Sequence, residues 1–136
     1  MVNQQFTFAV HIMTALAFTE AVMDSRTLAA SVNTNAVTVR RLLVALRRAG
    51  LIETYTGVKG GAKLIRKPRQ ITLCDIYDAV EPRRVIAVNE RRAAKHCQVS
   101  CNMKQIMSDI AETTEQAVRK QLQRVTLQTL VGKVAR

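Results

Sequence analysis

The chain has 136 residues, 48% hydrophobic but only 4% aromatic, with a formal charge of +11 and a pI near 10.5. That length holds one domain, or one domain and an arm, and an aliphatic, Met-containing composition favours packed helices over a β-sandwich. No apolar run reaches the ~18 residues of a membrane span, and three unevenly spaced cysteines make no secreted disulfide framework, so a cytoplasmic protein without a membrane partner is expected.

Residues 3–19 predict a first helix, with Asn3 as its cap and Phe6, Val10, Met13 and Ala17 alternating with Phe8, Ile12 and Leu16, so that it is apolar on most sides. Such a helix is buried by more than one neighbour. The same stretch lacks a basic leader and a small-residue cleavage site, which makes it a core helix rather than a signal peptide. His11 within it reads as a hydrogen-bonded or half-exposed histidine, not a ligand. Asp24 or Ser25 caps a short second helix carrying Leu28, Ala29 and Val32, and Asn33-Thr34-Asn35 forms a turn. A third helix over 36–49 follows, with Val39, Leu42, Leu43 and Leu46 as its inward stripe, and Gly50 ends it. Segment 51–66 reads as a hairpin whose turn carries Gly57, Gly60 and Gly61, expected to supply positive φ and to bring backbone N–H groups near a phosphate.

Pro68 closes the hairpin, Thr72 and Asp75 form a loose capping box for a helix over 73–80, and Glu81-Pro82 stops it. Residues 83–95 have no clean period and read as an Arg-rich loop. A last helix over 102–131 carries Ile106, Ile110, Ala117, Val118, Leu122 and Val125 at three- to four-residue intervals. It would be about 45 Å long, more than so small a domain can cover, and a second copy of the chain is the simplest partner for its stripe.

Helix, turn, helix and hairpin in that order describe a winged helix-turn-helix, whose second helix enters the DNA major groove while the hairpin reaches the adjacent backbone. Between Arg26 and Arg69 stand ten Lys or Arg residues and one acid, Glu53, so this segment supplies +9 of the net +11. Charge of that density on this pattern points to a polyanion. Thr34, Asn35, Thr38 and Arg41 are the candidate base readers, and Arg40, Arg41, Arg47, Lys59 and Lys63 the candidate phosphate contacts, with Gly60 in the wing turn. A palindromic operator would suit two such heads in a homodimer. The predicted class is mainly α with a small β-hairpin wing, divided into a DNA-binding unit (1–82), a loop or sensor segment (83–101) and a dimerisation helix with its tail (102–136). The competing reading is a winged-helix adaptor that binds protein or RNA without regulating. No carboxylate pair, Ser/His/Asp set or His-rich metal spacing supports an enzyme or a metal site.

The stretches VNTNAVTVRRLLVALRRAGLIET, GVKGGAKLIRKP and ITLCDIYDAVE, with FAVHIMTALA before them, resemble the Rrf-type bacterial transcription regulators over about Phe6 to Glu81. The resemblance implies a homodimeric winged-helix DNA-binding protein, a repressor, with DNA contacts at Thr34, Asn35, Thr38, Arg41, Lys59, Gly60 and Lys63. Cluster-binding members of the family resemble one another in carrying three cysteines on the loop before the long helix. This chain has Cys97 and Cys101 there, with His96 adjacent, and Cys74 far back. The resemblance is therefore to members without a cofactor; a cluster on Cys97, Cys101 and His96 would need a fourth ligand from the partner chain. Cys97 and Cys101 are candidates for a redox switch, since thiols at a helix start beside Lys95 are expected to oxidise readily. Ordinary thiols are the alternative.

Overall fold

The computed structural model describes residues 4–80 and 85–135. The expected cap Asn3, the stop at Glu81-Pro82 and the first part of the 83–95 loop lie outside them. Six α-helices run in the order α1 (Gln5–Thr19), α2 (Ser25–Val32), α3 (Ala36–Arg48), α4 (Leu73–Val80), α5 (Gln98–Gln123) and α6 (Leu127–Val134). Between α3 and α4 stand β1 (Ile52–Tyr55), β2 (Gly61–Leu64) and a 3₁₀ turn at Pro68–Gln70 that the sequence reading does not contain.

The core is aliphatic. Ile12, Met13 and Leu16 of α1 meet Leu28 of α2, the Val39, Leu42, Leu43 and Leu46 stripe of α3, and Ile76 of α4. No polar or charged residue is buried among the described residues, so side-chain shape rather than a polar network fixes the packing. The aromatic contribution is an edge-to-face pair, Phe6 with Tyr77, with ring centroids 5.5 Å apart.

Local chemistry sets each boundary. Asp24 caps α2 by accepting the Thr27 backbone N–H at 2.7 Å, and Asn35 caps α3 by accepting that of Thr38 at 2.8 Å. The tight reversal between these helices needs one left-handed residue, and Asn33 supplies it at φ 67°. At the end of α3, Gly50 (φ 76°) donates to Arg47 O and Leu51 N–H to Leu46 O, which is a Schellman closure. The box at α4 is complete: Thr72 N–H donates to Asp75 Oδ2 at 2.9 Å, and Asp75 N–H to Thr72 Oγ1 at 3.1 Å.

β1 and β2 pair antiparallel, with Ile52 opposite Leu64 and Glu53 opposite Lys63. The free edge of β2 takes a further partner, because Met23 and Ala62 exchange two backbone hydrogen bonds at 3.0 and 2.8 Å. The three turn glycines therefore have different reasons. Gly57 supplies positive φ (95°) and Gly61 does too (152°), but Gly61 also lies against the Met23 carbonyl. Gly60 has no positive φ; a side chain there would run into the Tyr55 carbonyl.

The predicted single C-terminal helix is two. It starts earlier than residue 102, at Gln98, and breaks after Gln123. The break has a tertiary cause: Leu73 N–H donates to Val125 O and Leu127 N–H to Ile71 O, a one-bridge strand pairing that no helix can continue through. Thr126 then caps α6, and Leu127 is fully buried. α6 returns onto α1, so one of the neighbours that bury α1 comes from this chain. The predicted stripe also divides. Ala111, Val118 and Leu122 lie on the side of α5 that carries its contacts to α4, where Tyr77 Oη donates to Glu115 at 2.7 Å and Arg119 pairs with Asp78. Ile106 and Ile110 instead face solvent with Val99 and Met103.

Gly61→Ala is expected to destabilise the protein by more than ~1 kcal/mol, since strained φ and a backbone collision act together. Urea unfolding checks this against Gly132→Ala, which lies inside α6 where a Cβ meets nothing within 4 Å and is expected to stabilise slightly instead.

Candidate nucleic-acid interface

The aliphatic stripe of α3 fixes which of its residues meet solvent. At 100° per residue, burying Val39, Leu42, Leu43 and Leu46 turns Arg40, Arg41, Arg47 and Arg48 outward, and all four are exposed. They divide into two flanks. Arg40 and Arg47, two turns apart, face the wing and line a cleft of about 440 Å³ with Tyr55, Thr56, Gly57 and Gly60. Arg41 and Arg48 lie on the other flank, on the side of Thr34 and Thr38. The candidate residues thus share one end of the molecule but not one surface. Thr34 and Thr38 are half-buried, Asn35, Lys59 and Lys63 are exposed, and Gly60 sits at the cleft floor.

Several side chains have local duties. Asn35 Oδ1 is committed to the cap, leaving only its amide N–H₂ for a ligand. Lys63 stands opposite Glu53, the single acid of the basic segment. Glu53 also takes a hydrogen bond from the Tyr55 phenol, which holds that phenol above its usual range. Arg66 is spent on structure, donating to Gln70 O at 2.8 Å beside Asp75. Hydrogen bonds from the backbone and hydroxyl of Thr27 hold the Asp24 carboxyl below the usual carboxylate range. Its hold on α2 is therefore full above the ordinary value of 3.8 and is lost as pH falls through the lowered one. Val37, which the sequence reading passes over, is exposed on the first turn of α3, and its place outside the buried stripe was the available signal.

The cysteine segment is separate from this surface. Cys97 is not helical but caps α5, its sulfur accepting the Ser100 N–H at 3.4 Å, and Cys101 Sγ donates to Ala94 O at 3.5 Å. Both are exposed, whereas Cys74 is buried in the body, which pushes its thiol up. His11, as expected, is partnered, with Nε2 2.9 Å from Ser31 Oγ.

The profile of the Rrf2 family, described as an iron-dependent transcriptional regulator, matches residues 2–133. The chain belongs to the Rrf2 family. Like the other members it is a DNA-binding transcription regulator rather than an enzyme. YwnA of Bacillus subtilis, named as a helix-turn-helix transcriptional regulator, is 30% identical over 133 residues, 97% of this chain and 98% of that one. A transcriptional-regulator structure from Lactobacillus plantarum superposes with a TM-score of 0.82 at 24% identity, covering 97% of this chain and 90% of the other. The structure of CymR, the global cysteine regulator of B. subtilis, does so at 0.68 and 22%, covering 98% and 97%. The donors among the described residues of one chain do not fit the iron of the family description. Among the described residues no three His, Cys, Asp or Glu side chains converge on a point where a metal would sit, and the Cys97 and Cys101 sulfurs are turned to their own loop backbone.

Asn35→Ala is expected to cost about 1 kcal/mol of stability while Asn35→Asp, an equal cap, costs little; thermal unfolding of the two variants separates the capping duty from any effect on DNA.

Proposed function

We propose that this Rrf2 protein is a homodimeric, sequence-specific repressor in the cytoplasm that reads a palindromic operator through α3 and grips its backbone through the wing. The observation that carries the reading is the coincidence of the outward arginines of α3 with a basic hairpin held beside them. Arg41, with Thr34, Asn35 and Thr38 around it, reads base edges. Arg40, Arg47, Lys59 and Lys63 neutralise phosphates, with the Gly60 turn close to the backbone. Residues 1–82 are the reading unit, 83–101 the sensor segment and 102–136 the dimerisation segment, with α6 of the last lodged on the reading unit. A dimer seated on a promoter excludes polymerase, which is why repression is the reading. Arg41→Ala should cost about 1–3 kcal/mol on specific DNA and far less on random duplex. Lys63→Ala should weaken both alike and flatten the salt slope by ~1. Titrations of specific and random DNA across salt check both; equal losses for Arg41→Ala would reduce it to a backbone contact.

Dimerisation is supported by two apolar surfaces that have no partner among the described residues. Val99, Met103, Ile106 and Ile110 form a ridge on α5 at alternating four- and three-residue steps, the spacing of a coiled-coil seam. A groove of about 630 Å³ between α1 and α6, lined by Val10, Ala15, Phe18, Leu130 and Val134, is the second. A two-fold pairing covers both at once. Ile106→Asp should halve the mass seen in sedimentation equilibrium; a wild-type chain that sediments as a single copy ends the proposal.

Cys97 and Cys101 extend the reading to thiol control. Both flank the first turn of α5, beside Val99 and Met103 of the ridge. On oxidation by diamide the two thiols give up two hydrogens and join in one S–S bond, which withdraws the Cys97 cap and loosens that turn. Diamide should then weaken operator binding reversibly in the wild type and leave Cys97→Ser unaffected; a response that persists in the variant removes this role.

A further inference from the structure

Val37, with Arg48 three turns further on, points most directly away from the core among the side chains of α3. The four buried residues, Val39, Leu42, Leu43 and Leu46, centre on a direction nearly opposite to it at 100° per residue. It is 57% exposed, and it sits on the first turn, the end of a recognition helix that reaches base edges. A β-branched residue there adds neither helix propensity nor burial. Its neighbours are polar or charged: Arg41 one turn on, Arg40 on the wing side, and Thr34 and Thr38 on the other flank.

We propose that Val37 reads a thymine through its 5-methyl group. In the major groove only thymine offers a methyl; the other bases present donors or acceptors that an isopropyl group would desolvate without pairing. Arg41 follows by one turn, about 6 Å along the axis, and successive base pairs are about 3.4 Å apart. The thymine therefore lies within two base pairs of the guanine that Arg41 takes. This rests on the reading of α3 as the base-reading helix, and it adds a specificity determinant to it.

The test starts by selecting a specific duplex from a random pool with the full-length wild-type protein. Each thymine is then replaced singly by deoxyuridine, which lacks only the methyl, and affinities are measured for wild type, Val37→Ala and Val44→Ala. The expected result is one thymine per half-site whose replacement weakens the wild type about threefold to fivefold. That sensitivity vanishes in Val37→Ala, which keeps its guanine preference, and persists in Val44→Ala, whose side chain lies two turns further along. Specific binding with no uridine-sensitive thymine, or with equal sensitivity in Val37→Ala, overturns the assignment alone. Failure to enrich any sequence overturns the base-reading function of α3 and the role of Val37 with it.

Discussion

The two backbone hydrogen bonds between Met23 and Ala62 decide the shape of the reading head. A two-stranded hairpin is marginal on its own, and this one is stabilised along its outer edge by the chain entering α2. Because Met23 immediately precedes the Asp24 cap, the pairing ties the wing to the start of the helix-turn-helix rather than only to the end of α3. The cleft between wing and α3, with Arg40 and Arg47 on one wall and the Gly57–Gly60 turn on the other, follows from that docking. Gly61 is the residue that permits it, since the approach leaves no room for a Cβ.

A second constraint closes the other end. Residues 71–73 and 125–127 pair across a single bridge, so the chain that leaves the reading head at α4 is fastened to the chain that returns from α5. Leu127 and the half-buried Leu130 and Val131 then add to the cover of α1. Hydrophobic burial and edge pairing thus cooperate, and neither involves a buried charge.

The sequence was readable wherever one turn of chain carries its own cause. The caps at Asp24 and Asn35, the stripe of α3, the Gly50 stop and the Thr72 box depend on residues within four positions of each other, and each stands where the residue types put it. What the sequence did not disclose is what distant segments impose. Periodicity carried the last helix through 124–126 because Val125 and Leu127 keep the apolar rhythm; only the pairing with 71–73 breaks it. The turn pattern predicts positive φ for Gly57, Gly60 and Gly61 alike, although for Gly60 the reason is space, which no local pattern records. Val37 is hidden from a sequence reading for a different reason. Apolar residues are read by default as core, and its position outside the stripe carries meaning only once the opposite face is known to be buried.

One consequence concerns the root of α5. Its contacts with α4 cluster at Ala111, Glu115 and Arg119, so the stretch from Ala111 back to Val99, about 18 Å long, projects beyond them and is met by the preceding loop through Glu90 and Ala94. A swing of about 5° at that root carries the tip about 1.6 Å. In a paired assembly the separation of the two heads would then be set less by the seam itself than by how firmly Tyr77 and Asp78 hold the fulcrum. Tolerance for operators with one base pair more or fewer between half-sites would be written in that small polar joint.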